Sequence, residues 1–225
     1  MNLAQKTIAV LGLILIGAAL VGLVVRRRYK YWWFFDLYLL AIFIGTAVPH
    51  VTPQWYTPAF YQAKEMVYTP LRFAMALEIG LRIFRSFPGA LATARRLVLL
   101  VLIGTLVAIL LAPYEGYETF VGDLLPRIVN GTVWLFSGLA ALILWYRLPL
   151  KPFYKRVVLS YVPYLFISTV VMTLLAKRGW EKGANIQYLN QLAYVALLAY
   201  WNYAIWRDDP APAAPAPDPR LQGIA

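Results

Sequence analysis

Ionisable residues concentrate in one otherwise apolar stretch, Ala63 to Phe84, which contains Lys64, Glu65, Arg72, Glu78 and Arg82. An unpaired charge is costly in apolar surroundings, so such residues pair with one another or face a polar interior. Lys64, Tyr68 and Arg72 follow an i, i+4, i+8 spacing, and Glu65 lies about two helical turns before Arg72 on a similar face. Glu65 is therefore spaced to neutralise Arg72. Glu78 and Arg82 stand at i, i+4, the spacing of an intrahelical ion pair. Pro70 removes a backbone donor and frees a carbonyl close to Arg72. Two chemistries fit this set: electrostatic recognition of a charged solute, or charge compensation that makes a polar helix tolerable, with Lys64 and Arg82 reaching towards its ends.

A second polar stripe contains Gln187, Asn190, Gln191, Tyr194 and Asn202 at helical spacing. Such a stripe lines a solute path or forms hydrogen bonds between helices. Glu65, Arg72, Glu78, Gln191, Tyr194 and Asn202 are thus the candidate polar site residues. Ser160, Tyr164 and Ser168 recur every four residues, with Pro163 between them as a source of a kink. Asp36 follows the Arg26, Arg27, Arg28 run and reads as its ion-pair partner, while His50, the single histidine, reads as a helix-end residue. The chain has no cysteine, which excludes disulfides and thiolate metal sites. Glu115, Glu118 and Asp123 have no ligand-like arrangement. There is no phosphate loop, His-Glu-x-x-His helix or serine nucleophile elbow. No enzymatic activity, catalytic residue, cofactor or metal is expected.

The elements that must carry these residues are apolar and long. Hydrophobic residues make up 61% of the chain and charged ones 14%, against roughly 25% charged in an ordinary soluble domain. A hydrocarbon layer about 30 Å thick needs about 20 apolar residues per helix. Seven stretches approach that length: Thr7 to Val25, Trp33 to Ala47, Ala63 to Phe84, Arg96 to Ala112, Ile128 to Tyr146, Val157 to Ala176 and Gln187 to Trp206. The second is short and the third the most polar. The expected fold class is all-α, a polytopic membrane bundle of seven transmembrane helices over residues 1–206, followed by a disordered Pro/Ala-rich cytoplasmic tail over 207–225. The first stretch is too long for a cleavable signal and stops at three arginines, so it is retained as a helix.

Orientation follows from basic residues at alternate ends. With the N-terminus outside, fourteen Lys and Arg fall on the cytoplasmic side and six outside, with Arg72 within a span. The net charge of +11 is thus distributed over helix ends beside lipid headgroups, and no nucleic-acid partner is expected. Trp32, Trp33, Trp145 and Trp206 are expected at the inner interface, with Trp55 and Trp180 in outer loops.

The order of elements has an internal echo. The hinge RRRYKYWWFF leads into a second span, a loop with Trp55 and a third span ending in Phe84 and Arg85; WYRLPLKPFYKR leads into a sixth span, a loop with Trp180 and a seventh ending in Trp206 and Arg207. Residues 7–86 and 128–207 then form two parallel three-helix repeats, with 96–112 as a linker helix. This 3+1+3 order resembles the architecture of the SWEET and PQ-loop transporters. The resemblance implies a solute site between the two units, although the Pro-Gln motif of those families is missing from both Thr7 to Val25 and Ile128 to Tyr146. Retinal proteins need a lysine in the last span, and Gln187 to Trp206 has none.

Three functions fit the sequence: a small-solute or ion transporter or facilitator, a receptor-like membrane sensor, and an accessory subunit of a larger membrane complex. The partners expected are the lipid bilayer, a small solute, and a membrane protein or further copies of the chain. The expected location is a bacterial inner (plasma) membrane.

Overall fold

The computed structural model describes residues 3–30, 32–55, 57–85, 96, 125–145, 150–178 and 184–207. They form six α-helices: α1 (Leu3–Val25), α2 (Trp33–Val51), α3 (Pro58–Arg85), α4 (Leu125–Trp145), α5 (Pro152–Arg178) and α6 (Ala184–Trp206). Two 3-10 turns, Arg28–Lys30 and Pro53–Trp55, follow α1 and α2, and no strand occurs among the described residues. The expected linker helix Arg96 to Ala112 lies outside the described residues except for Arg96, as do Glu115, Glu118, Asp123, Trp180 and the tail from Asp208.

Local chemistry sets the helix ends. α1 closes where Arg27 adopts a left-handed φ of 51° and its amide donates to the Val24 carbonyl at 3.0 Å. α3 and α5 both begin with proline, whose missing N–H is no loss at a first helical position. Thr57 caps α3, its hydroxyl accepting the Phe60 amide at 3.2 Å. α2 runs to Val51, past the end expected from the sequence, with Pro49 inside it. Pro70 and Pro163 likewise sit inside continuous α3 and α5.

The six helices close into a ring. Each packs on its successor, α3 packs on α4, and α6 returns to pack on α1. Consecutive helices within the sets α1–α3 and α4–α6 run antiparallel. At the two joints the helices run parallel: Asn202 of α6 meets Leu15 of α1 while Arg28, just beyond α1, meets Ala204, and Gly80 of α3 faces Leu139 of α4 with Arg72 and Thr132 level below them. One end of the bundle therefore collects the starts of α1, α3, α4 and α6; the other collects the starts of α2 and α5.

The core is aromatic. Trp32 stacks on Phe35 at 4.7 Å between ring centroids and meets Tyr154 edge-on at 5.3 Å, while Phe35 meets Trp201 at 5.1 Å. Trp32 is completely buried against neighbouring helices, whereas Trp33 beside it is exposed. Trp32 faces inward because it precedes α2 by one residue and packs over the start of α5 through Phe153. Trp33 and Trp145 keep to the rim, 63% and 84% exposed.

The outward faces are apolar on every helix, through residues such as Ile14, Ile44, Val67, Trp134, Phe166 and Leu192. Three helical stretches are long and apolar enough to cross a membrane: Lys6–Val25, Trp33–Val51 and Pro152–Leu175. In α4 the qualifying apolar run, Asn130–Trp145, is shorter.

Candidate functional site

α3 delivers its charges to the inside of the ring. Glu65, Tyr68, Thr69 and Ala76 are buried, at spacings that return to one face of a helix. The same face carries Arg72, whose Nη2 lies 3.5 Å from Glu65 Oε2. Its Nε donates to the Tyr38 hydroxyl at 3.3 Å, and the guanidinium sits 5.8 Å from the centre of that ring. The Tyr38 and Tyr161 hydroxyls are 3.1 Å apart, joining α2 to α5 across the middle of the ring. A relay of polar groups thus runs from Glu65 through Arg72 and Tyr38 to Tyr161.

Above this relay lies a cavity of about 170 Å³, in the half of the bundle where α3 and α6 begin. Lys64, Glu65 and Arg72 of α3 supply its charges, Thr132 its contact with α4, Tyr164 and Ser168 its α5 wall, and Asn190 its α6 wall. Lys64 holds its ammonium over two aromatic faces, 4.7 Å from the centre of Tyr61 and 5.6 Å from that of Tyr68. The Asn190 Oδ1 atom is buried and accepts no hydrogen bond from a described residue. Tyr161 is held by Phe136, edge-on at 4.8 Å, and by Trp201 at 5.5 Å. These rings, with Phe35, fill the interior below the cavity.

The candidate residues named from the sequence are dispersed over four places. Glu65 and Arg72 come together in this cavity, with Lys64 beside them. Glu78 lies nearer the opposite end, paired with Arg82 at 2.7 Å and accepting the Phe34 amide at 3.1 Å. Arg82 also donates to the Tyr154 hydroxyl at 2.9 Å, which ties α3 to the start of α5. Gln191 and Tyr194 line a second cavity of about 140 Å³ with α1 and Thr46 of α2. Tyr194 also lies against Tyr164 of the first cavity, 5.7 Å between centroids, so this ring pair stands between the two spaces. Asn202 donates to the Leu15 carbonyl at 2.8 Å and to the Leu198 carbonyl at 2.9 Å, a bond between α6 and α1.

Other single residues behave differently from their spacing. Asp36 makes no ion pair with the arginine run: both its carboxylate oxygens are buried without a hydrogen-bond partner among the described residues. Arg28 donates instead to the backbone carbonyls of Ala204 at 3.3 Å and Arg207 at 2.5 Å, where it completes the end of α6. The ring N–H of His50 reaches the Thr46 carbonyl at 2.8 Å, one turn back in its own helix. Ser160 accepts the Trp201 indole N–H at 3.1 Å and donates to the Val157 carbonyl at 3.0 Å.

Sequence reasoning missed Tyr38, Tyr161 and Thr132. Sixteen tyrosines are distributed along the chain, and nothing local distinguishes the two whose hydroxyls meet in the centre. Among the described residues no cluster of three or more His, Asp and Glu is placed to hold a metal ion. The arrangement offers charge recognition and hydrogen bonding in a confined space. No protein family model, curated protein or solved structure matches this chain.

Proposed function

We propose that this chain is a seven-span integral membrane protein that binds a small charged solute in the Arg72 cavity and passes it across the bilayer as a transporter or facilitator. The observation that carries the reading is the cavity itself: Lys64, Glu65 and Arg72 are gathered in the interior of a bundle whose outward faces are apolar. Intramembrane charges of this kind serve substrate paths. An apolar belt on all six helices is what lipid requires of them, including α3 and α6, whose interiors are polar.

The parallel packing of α3 on α4 supports the span count. A chain that leaves α3 at one end and starts α4 at the other needs an odd number of crossings between Arg85 and Leu125, and Arg96 to Ala112 is an apolar run of suitable length. The ring also joins α1–α3 to α4–α6 at two parallel joints, the relation expected of parallel repeats about an axis along the membrane normal. The cavity lies between α3 of one unit and α4–α6 of the other. With the basic residues cytoplasmic, it faces the outside of a bacterial inner membrane. Tyr38, Tyr161 and Trp201 bar the way to the cytoplasmic side, so passage requires those rings to part, as in alternating access. The same barrier favours a second reading, a sensor that binds from outside and passes nothing.

The cysteine-free sequence makes the test direct. Ser168→Cys, alone in liposomes, is expected to react with a membrane-impermeant methanethiosulfonate from one side only. No reaction from either side sinks the solute-cavity reading. Reaction without uptake of any solute that protects the cysteine selects the sensor.

A further inference from the structure

We infer that the Arg72 cavity takes a small monocarboxylate, and a hydroxyl-bearing one in preference; this rests on the solute-cavity reading above. The first ground is charge. Lys64 and Arg72 bring two positive charges to the lining and Glu65 one negative, so the site has one cation in excess and is neutralised by a single anionic charge. A dianion would overfill it and set its second charge against Glu65. A neutral solute would leave the excess cation uncompensated in an apolar bundle.

The second ground is the state of the guanidinium. Nε is taken by Tyr38, and Nη2 meets Glu65 at 3.5 Å, longer than the roughly 2.7–2.9 Å of a charge-assisted hydrogen bond. Nη1 has no acceptor among the described residues. The planar fork therefore retains donors for two coplanar oxygens, and a carboxylate presents them at that spacing. The Lys64 ammonium, backed by the Tyr61 and Tyr68 rings, gives a second cation without a hydrogen-bond acceptor of its own among the described residues.

The third ground is size and the remaining polar atom. The cavity, about 170 Å³, has room for several waters and so accommodates a ligand of a few carbons. Asn190 Oδ1 is buried on the α6 wall without a donor among the described residues. A hydroxyl on the solute satisfies it, and an unsatisfied buried acceptor discriminates against an analogue lacking that hydroxyl.

The probes are sodium lactate, sodium propionate, neutral lactamide and sodium malonate, added to Ser168→Cys liposomes at matched ionic strength while the rate of methanethiosulfonate labelling is followed. Lactate is expected to slow labelling several-fold and saturably, propionate to do so at higher concentration, and lactamide and malonate to have little effect. In Lys64→Gln/Ser168→Cys, labelling persists and the lactate concentration needed for half-protection rises about tenfold, the loss of one charged contact. Equal protection by lactate and lactamide, stronger protection by malonate, no protection by lactate or propionate in a cysteine that labels, or unchanged lactate protection in the Lys64→Gln variant overturns the inference. A cysteine that never labels overturns the underlying reading instead.

Discussion

Arg72 is held by Glu65 at one nitrogen and Tyr38 at another, so each partner has a different consequence when removed. Glu65→Gln leaves the guanidinium in the interior without its counter-charge. Breaking a buried pair from one side costs about 3–5 kcal/mol, and the variant is expected to melt well below the wild type in detergent. Tyr38→Phe removes only hydroxyl bonds, with an expected cost of about 1–3 kcal/mol. If thermal unfolding ranks the two in the opposite order, the Glu65–Arg72 pair is not the dominant contact. Gly45 is constrained by approach rather than by backbone angle. A methyl there would strike the Tyr68 hydroxyl, which donates to the Ala41 carbonyl at 3.3 Å, and would lie 3.1 Å from Lys64 Cγ. Gly45→Ala is therefore expected to push α2 and α3 apart and lower the melting temperature, whereas Gly138→Ala, with nothing within 4 Å, should leave it nearly unchanged. The spacing of Glu65 and Arg72 was readable from the sequence because a single helix carries both. The Tyr38–Tyr161 contact was not, since it joins residues 123 positions apart on two helices.

At the scale of elements, α3 is the least apolar of the described helices, and the structure accounts for how it sits inside the ring. Glu65, Arg72, Glu78 and Arg82 pair within the helix or reach α2 and α5, while Met66, Val67 and Pro70 take the exposed face. The helix periodicity that separates these two faces was visible in the sequence. The parallel joint between α3 and α4 was not, because it depends on contact between segments separated by residues 86–124. It is open to test by a cysteine pair, Gly80→Cys with Leu139→Cys, since a Cβ at Gly80 would lie 3.8 Å from the Leu139 side chain. Efficient oxidative crosslinking is expected; none, in a folded sample, would contradict the ring order. At the other joint, Gly22 lets α1 approach Ile205 and Trp206, with a built Cβ 2.7 Å from Ile205 Cγ2 and 2.9 Å from the Trp206 indole nitrogen. Gly22→Leu is expected to open that joint and weaken the Asn202–Leu15 bond beside it.

At the scale of the whole molecule, a closed ring leaves none of the six described helices with an unpartnered inner face and turns large side chains such as Ile14, Trp134 and Phe166 outward. Such an exterior is compatible with a lipid surrounding. The two rims differ: Arg26, Arg27, Lys30, Lys151 and Lys155 ring the end at which α2 and α5 start. Single cysteines at Arg27 and at Gln54 should therefore react with impermeant reagent from opposite sides of an intact membrane, Gln54 from outside. Labelling of both from one side would refute the proposed topology.

The sequence by itself determined that the chain is all-helical with apolar helices long enough to cross a membrane, because helix formation and the length of an apolar run depend on composition within short windows. It also identified α3 as the polar element and Glu65 with Arg72 as neighbours, for the same local reason. Only the tertiary structure decided that Asn202 bonds α6 to α1, that Gln191 and Arg72 line different cavities, that Trp32 is core, and that the Asp36 carboxylate has no hydrogen-bond partner among the described residues. Each of those outcomes depends on the rotation of one helix against another. That rotation is settled by packing across the ring, where Trp201, Phe35 and Tyr161 must share one interior.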